Sequence, residues 1–302
     1  TSLIKRMKLF WKDLLSYLAV WFVWLYGAIE VPRLVLLPRL SDLSALALIW
    51  YIFVLVTTLA CFLMAGQSNP GYVTSDEDVK QYVGRFLIKD RPGMEFCPKC
   101  NRERPVRSHH CSRCNCCVLE MDHHCPFVLN CIGEHNRWRF ILLLFYGILL
   151  CASAQYHLWR DLLGYYAPTC GISHAKAAPH TLSGGRIEPA IDSSSSPCPD
   201  YRLARLISAI IISLITMVAM GMLFTVQSIG IRESRTTLEL LEIVRQKQLP
   251  SAADSRGRRL TLFESMSRVF GYDSPWVWPV PCRRRKDRLI DEEVVKLSSI
   301  NV

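Results

Sequence analysis

Four long apolar runs dominate the pattern of hydrophobic and polar positions along this chain. They lie at Leu14–Ala28, Leu43–Gly66, Phe140–Trp159 and Leu206–Ile229. A helix needs about 20 apolar residues to cross the hydrocarbon core of a bilayer. Three runs meet this length, and the first meets it when extended to about Leu36. Buried core helices are the alternative, but the rest of this 302-residue chain is too short to cover four of them. The pattern predicts an all-α polytopic membrane protein with four transmembrane helices.

These runs divide the chain into five predicted segments. In chain order they are an N-terminal segment (1–13), transmembrane helices one and two (14–66), a connector with a cysteine-rich domain (67–137, core 97–131), transmembrane helices three and four with a loop at about 160–202 between them (138–229), and a C-terminal tail (230–302). The first run lacks a small-residue cleavage site and contains Trp21 and Trp24. We therefore expect an anchor rather than a cleaved signal peptide.

The distribution of Lys and Arg predicts the orientation. Basic residues are concentrated before the first run, between the second and third, and after the fourth, and they mark the cytosolic side. Both termini and the cysteine-rich domain should then be cytosolic, and the loop at 160–202 luminal, where Cys170 and Cys198 could form a disulfide. The net charge of +10 would face anionic lipid. Nucleic-acid binding is another interpretation of such a charge, and membrane anchoring argues against it.

The segment from Cys97 to Cys131 has the composition of a metal-binding module. It contains eight of the 13 cysteines and four of the eight histidines, with few large aliphatic residues. Cys97–Cys100 and Cys111–Cys114 are CxxC pairs, a spacing that lets two thiolates bind one tetrahedral zinc ion. The other candidate ligands are His109, His110, Cys116, Cys117, His123, His124 and Cys131. Buried cysteines acting as small hydrophobic residues are the alternative, but the segment lacks the aliphatic side chains to bury them.

Cys125 stands apart because it follows an acid and two histidines in the sequence Asp122-His123-His124-Cys125. A thiolate that binds no metal and lies beside a histidine can be activated as a nucleophile. One histidine could be a metal ligand while the other acts as the base, and Asp122 could orient that base. The spacing does not decide which histidine has which role.

These residues resemble the DHHC-type protein S-acyltransferases, or palmitoyltransferases. The resemblance covers the whole cysteine-rich segment, the four-helix layout and Thr236-Thr237-Leu238-Glu239, which is similar to the Thr-Thr-x-Glu motif of that family. The resemblance implies transfer of a fatty acyl group from acyl-CoA to cysteines of membrane-associated proteins, in a Golgi or endoplasmic reticulum membrane. It also implies a covalent acyl-enzyme intermediate.

The resemblance further implies a role for each matched residue. Cys125 would be the nucleophile, His123 its base and Asp122 the orienting carboxylate, while His109 and Cys116 stay unassigned. Two structural zinc ions would be bound, one by Cys97, Cys100, His110 and Cys117, the other by Cys111, Cys114, His124 and Cys131. Thr236 and Glu239 would fix the tail against the cysteine-rich domain, or form a helix-capping pair, or both.

The chain departs from the family pattern at four positions near these motifs. They are Asn69 where Asp is typical, Phe127 for Trp, Leu129 for Asn and Ser265 for Asn. Two further functions compete with the acyltransferase. A non-catalytic zinc scaffold would have no use for a free Cys125 beside His123, and a thiol oxidoreductase would need one CxxC pair free of metal.

Overall fold

The computed structural model describes residues 2–36, 45–84, 93–166, 200–246 and 261–271, together with Pro275, Trp278 and Pro279. Within these residues the fold is mostly helical, and four helices are long and apolar enough to cross a membrane. A cysteine- and histidine-rich region lies between the second and third of them. The predicted fold class is therefore confirmed. Cys170, Cys198 and most of the loop predicted at 160–202 fall outside the described residues.

The four long helices are α1 (Ser2–Val31), α2 (Ala45–Gln67), α4 (Arg137–Tyr166) and α5 (Asp200–Arg232). A π-helical segment, Pro32–Leu36, continues α1 where Pro32 interrupts its hydrogen bonding. Helix α4 packs against both α2 and α5. In its most apolar window 56% of the residues are buried, compared with 6% in α1. Helix α4 is thus the centre of the bundle, and α1 lies at its periphery.

The cysteine-rich region consists of short antiparallel strands that form three small sheets. The strands are β1 (Tyr72–Val73), β2 (Met94–Cys97), β3 (Arg102–Pro105), β4 (His109–Cys111), β5 (Cys116–Val118), β6 (His123–Cys125) and β7 (Asn130–Ile132). The first sheet has the order β1-β5-β4, while β2-β3 and β6-β7 are hairpins. A short helix, α3 (Asp76–Gly84), follows β1. Strands this short have little intrinsic stability, so they need other cross-links.

Asparagine side chains join this region to the end of α2. Asn69 forms a turn in which its Oδ1 accepts hydrogen bonds from the backbone nitrogens of Gly71 and Tyr72, each at 2.9 Å. Asn69 therefore supplies, from its side-chain amide, the acceptor oxygen that an Asp carboxylate would supply there. Asn130 donates to the carbonyls of Ala65 and Ser68. These bonds satisfy backbone carbonyls that the end of a helix leaves unpaired.

The described part of the tail folds back onto the bundle. It contains α6 (Thr237–Gln246) and α7 (Leu262–Phe270), and α7 packs against α5 and α4. Thr261 and Glu264 form a capping box that starts α7. Ser265, at the position where Asn is typical, is buried, and its hydroxyl lies 3.0 Å from that of Ser234. Ser265 thus makes a polar contact between α7 and the turn that follows α5.

Candidate active site and metal clusters

The structure brings the predicted metal ligands together as two separate groups. The first contains Cys97, Cys100, His110 and Cys117, and the second contains Cys111, Cys114, His124 and Cys131. Within each group the ligand atoms lie within 4.8 Å of one another, and these are the groups found among the described residues. The strand pairing explains their interleaving. Because β4 pairs with β5 and neighbouring residues of a strand face opposite sides, adjacent His110 and Cys111 point to different clusters.

The distances within each group fit a tetrahedral zinc site. Bond lengths of about 2.3 Å to sulfur and about 2.0 Å to nitrogen separate the ligand atoms by about 3.5–3.8 Å. In the first group the His110 Nδ1 lies 3.2 Å from Cys100 Sγ and 3.8 Å from Cys97 Sγ. In the second, His124 Nδ1 lies 3.4–3.6 Å from its three sulfur neighbours. Both groups could bind a metal ion.

Strand β6 separates the two neighbouring histidines. Its residues pair with β7 in the register His123↔Ile132, His124↔Cys131 and Cys125↔Asn130. Side chains alternate between the faces of a strand, so His123 and Cys125 share one face and His124 lies on the other. His124 accordingly joins the second cluster, while Cys125 belongs to neither cluster and forms no disulfide. The strand geometry thus places only His124 among the candidate metal ligands, a distinction that spacing left open.

Asp122 is completely buried and surrounded by hydrogen-bond donors. Its Oδ2 accepts from His123 Nδ1 at 2.8 Å and from Gln227 Nε2 at 2.7 Å. Thr237 donates to Oδ1 from its backbone nitrogen and to Oδ2 from its hydroxyl, each at 2.8 Å. Arg137 adds an ion pair at 3.5 Å. Burial by itself raises the pKa of Asp122, but the charge of Arg137 and the bonds from His123 and Thr237 outweigh it, so the pKa is lowered.

His123 lies between an acid and a thiol. Its Nδ1 is engaged by Asp122, so Nε2 is the ring nitrogen available to Cys125. Burial lowers the pKa of His123, but hydrogen bonds with Asp122 and Cys125 more than compensate and raise it to about 9. The ring also packs edge-on against Phe140 at the start of α4, with the centroids 5.1 Å apart. The three residues have the arrangement of an oriented base beside a buried nucleophile.

The tail motif has both of the roles considered from the sequence. Thr236 and Glu239 form a reciprocal pair, in which the Thr236 backbone nitrogen donates to Glu239 Oε2 at 2.7 Å and the Glu239 nitrogen donates to the Thr236 hydroxyl at 3.3 Å. Arg107 in the cysteine-rich region also binds Glu239 through two nitrogens, at 2.6 and 3.1 Å. The motif therefore caps α6 and ties it to the cysteine-rich region.

Sequence reasoning missed Gln227 and Arg137 at this site, and it left His109 and Cys116 unassigned. Gln227 in α5 connects Asp122 to Arg137. Its Nε2 donates a hydrogen bond to Asp122, and its Oε1 accepts one from Arg137 Nε at 3.0 Å. Neither Gln227 nor Arg137 belongs to a motif, although a polar residue inside an apolar helix is a recognisable signal. The thiol of Cys116 lies 3.5 Å from the carbonyl of Val73. Cys116 therefore packs against the backbone.

An apolar cavity lies between the long helices. Its lining includes Trp21, Tyr51, Phe62, Leu143, Leu150 and Ala154. Cys125 belongs to the same buried apolar cluster as Phe62 and Leu143. Two residues of the cavity lining, Phe62 and Leu143, are therefore part of the apolar cluster that contains the buried thiol.

Comparison with known proteins agrees with this geometry. The family model for DHHC palmitoyltransferases matches residues 91–244, just over half of the chain. Rat palmitoyltransferase ZDHHC3 is 34% identical over 139 residues, covering 45% of this chain and 46% of that protein. An Arabidopsis thaliana probable protein S-acyltransferase 13 is 37% identical over 121 residues, covering 36% and 40%.

Xenopus laevis palmitoyltransferase ZDHHC15 is 30% identical over 212 residues, covering 68% of this chain and 54% of that protein. The chain thus spans about half the length of the curated relatives it matches. The match of the family model includes both Cys/His clusters, the sequence from Asp122 to Cys125, and the tail motif. The chain belongs to the DHHC palmitoyltransferase family.

Proposed function

We propose that this protein is an S-acyltransferase that moves a long-chain acyl group, such as palmitoyl, from acyl-CoA to cysteine thiols of membrane-associated proteins. The observation that carries the proposal is the position of Cys125. It lies outside both metal clusters, beside a histidine that a buried carboxylate orients, and in the apolar cluster that continues into the cavity. Names of the matched relatives, palmitoyltransferase and protein S-acyltransferase, support the same activity.

The reaction would proceed in two balanced thioester exchanges. In the first, the Cys125 thiolate attacks the acyl-CoA carbonyl, a new carbon–sulfur bond forms, and the CoA thiolate leaves and takes a proton from His123. In the second, neutral His123 removes the proton from a substrate thiol. The resulting thiolate attacks the acyl-Cys125 carbonyl and releases the Cys125 thiolate. Asp122 stabilises the charged imidazole and keeps Nε2 directed at the sulfur atoms.

The cavity is the proposed site for the acyl chain. Each methylene buried away from water gains about 0.8 kcal/mol. The lining is almost entirely apolar, and it is contributed by α1, α2, α4 and α5. The far end of the cavity should therefore limit the length of chain that fits. The CoA phosphates would remain outside the bilayer and pair with basic side chains of the cysteine-rich region and tail.

The two Cys/His clusters would each hold a structural zinc ion, which cross-links strands too short to be stable alone. Cys97, Cys100, His110 and Cys117 would bind one ion and Cys111, Cys114, His124 and Cys131 the other. We further propose that both termini and the cysteine-rich domain face the cytosol, in a Golgi or endoplasmic reticulum membrane. Acyl-CoA and the membrane-associated substrate proteins would both approach from that side.

Incubation of the purified protein with labelled palmitoyl-CoA tests the activity directly. We expect a hydroxylamine-sensitive label on the parent protein that is absent from Cys125→Ser. Cys116→Ser is the matched control, since Cys116 is a half-buried cysteine that also lies outside both clusters. This variant should keep the label. A folded, zinc-loaded protein that takes no label would favour the scaffold function. A zinc content far below two per chain would favour the oxidoreductase.

A further inference from the structure

Helix α1 places a buried acid against the second metal cluster. Asp13 is 6% exposed, although it lies within the apolar part of this otherwise peripheral helix. Its Oδ2 is 3.4 Å from His124 Nε2, and its Oδ1 forms an ion pair with Arg113. A carboxylate inside an apolar helix is costly unless it has such partners. Asp13 therefore has a specific interaction with the cysteine-rich region.

The two nitrogens of His124 face in different directions. Nδ1 is directed at the sulfur atoms of the second cluster, at 3.4–3.6 Å. Nε2 is buried, and it makes no hydrogen bond within the described residues. A histidine that binds metal through Nδ1 carries its hydrogen on Nε2, and this hydrogen needs an acceptor. The Asp13 carboxylate is placed to accept it after a small movement from 3.4 Å.

Arg113 gives Asp13 a second connection to the same cluster. It lies inside the CxxC pair Cys111–Cys114, whose two thiols belong to that cluster. One carboxylate thus contacts the loop that supplies two ligands and the histidine that supplies a third. The first cluster has no corresponding acid among the ion pairs of the described residues, where Glu95 and Arg104 pair on the exposed hairpin β2-β3. The two clusters should therefore differ in how tightly they retain metal.

We propose that Asp13 is a positioning residue for the second zinc site. It accepts the Nε2 hydrogen of His124, holds the ring in the tautomer that binds zinc, and anchors α1 to the catalytic hairpin β6-β7. The proposal rests on the zinc sites of the proposed function. Carboxylates in this position typically change metal affinity about 10- to 100-fold. Because His124 precedes Cys125 in β6, loss of this contact also loosens the strand that carries the nucleophile.

Zinc release to a chromogenic chelator tests the proposal, with the zinc content of each protein measured beforehand. Two zinc ions in the parent establish the sites themselves, and a parent without zinc refutes the zinc sites of the proposed function and this inference with them. In Asp13→Asn we expect one of the two ions to be released about 10- to 100-fold faster. Asp13→Glu, which keeps a carboxylate, should restore most of the slow release.

Glu95→Gln is the matched control, because it also replaces a carboxylate with an amide. Glu95 is near the first cluster but pairs with Arg104 and contacts no metal ligand in the described structure. This variant should release both ions at the parental rates. A folded, zinc-loaded Asp13→Asn with parental release of both ions overturns the proposal. If Asp13→Asn does not fold, histidine-selective ¹⁵N NMR of the parent decides. It should show a metal-bound histidine with a slowly exchanging Nε2 hydrogen, and its absence also overturns the proposal.

Discussion

Thr237 donates two hydrogen bonds to the carboxylate of Asp122, one from its backbone nitrogen and one from its hydroxyl, each at 2.8 Å. The two residues are 115 positions apart, so the tail completes the surroundings of the carboxylate proposed to orient His123. Gln227 donates both to Asp122 and to the Thr237 hydroxyl. The start of α6 and the end of α5 together hold the carboxylate that orients His123.

Thr237→Val should reduce autoacylation while leaving the protein folded. Valine has the shape of threonine but cannot donate to Asp122 Oδ2, whereas the backbone bond to Oδ1 remains. A buried hydrogen bond to a charged group contributes about 1.5–3 kcal/mol, which corresponds to a loss of about 10- to 100-fold in rate if it acts in the transition state. The initial rate of label incorporation from palmitoyl-CoA measures it.

Thr236→Val is the control for this experiment, because Thr236 is the neighbouring threonine and its hydroxyl serves the α6 cap rather than Asp122. It should cost about 1 kcal/mol of stability and leave the rate of the folded fraction close to that of the parent. Equal losses of rate in the two variants would show that the motif acts only by docking the tail.

Substitution of each histidine by alanine, one at a time, should separate catalysis from metal binding. His123→Ala removes the residue between Asp122 and Cys125, so autoacylation should fall while two zinc ions per chain remain. His124→Ala removes a ligand on the opposite face of β6 and should reduce the zinc content to about one per chain. Zinc analysis by mass spectrometry and label incorporation are measured on the same samples. Loss of zinc from His123→Ala would mean that the two roles are reversed.

The difference between these histidines marks the limit of what the sequence could predict. The CxxC pairs and the long apolar runs are local patterns, and they predicted a metal-binding module and the four long helices. The division of the ligands into two sets came from the family resemblance. Which histidine binds metal depends on the face of a three-residue strand, and spacing does not give that. Gln227 reaches Asp122 across 105 positions, and no local pattern links the two. Such contacts arise only when α5 packs beside the cysteine-rich region.

Leu129→Asn should stabilise the protein. Leu129 has a φ of +52°, a left-handed conformation that costs a residue with a branched side chain roughly 1 kcal/mol and that asparagine adopts more easily. Asn is the typical residue of the family at this position, so the change restores the better turn. Thermal unfolding should show a midpoint a few degrees higher. Asn101→Leu is the reverse control, since Asn101 also has a φ of +52°, and it should lower the midpoint.

Acid should weaken the contact between the tail and the cysteine-rich region. Burial by itself raises the pKa of Glu239, but its bonds with Arg107 and Thr236 outweigh this and lower the pKa. The contribution of Glu239 to stability is therefore present above its unfolded-state pKa of about 4.3 and is lost as the pH falls through the lower pKa of the folded protein.

Glu239→Gln isolates this contribution from the other acid-sensitive groups. At pH 7 it should be less stable than the parent by about 1–3 kcal/mol, because it loses a charge-assisted bond to Arg107. This difference should shrink as the pH falls below about 4, whereas an exposed control, Glu95→Gln, should differ little from the parent at any pH. A difference that does not change with pH would show that Glu239 acts by shape rather than by charge.

Filling the far end of the cavity should shorten the preferred acyl chain. Ala154 lines the cavity and is 5% exposed, and it packs in a cluster with Val31 and Leu206 that does not include Cys125. It lies 17 residues beyond the start of α4, about 25 Å along the helix, so it is distant from the nucleophile. In Ala154→Phe the ring would occupy space that a long chain needs. Competition between labelled acyl-CoA donors should show a shift from palmitoyl toward shorter chains.

Ala152→Phe adds the same ring on the exposed side of α4 and should leave the preference unchanged. If both variants retained the parental preference, the cavity would not be the site of the acyl chain.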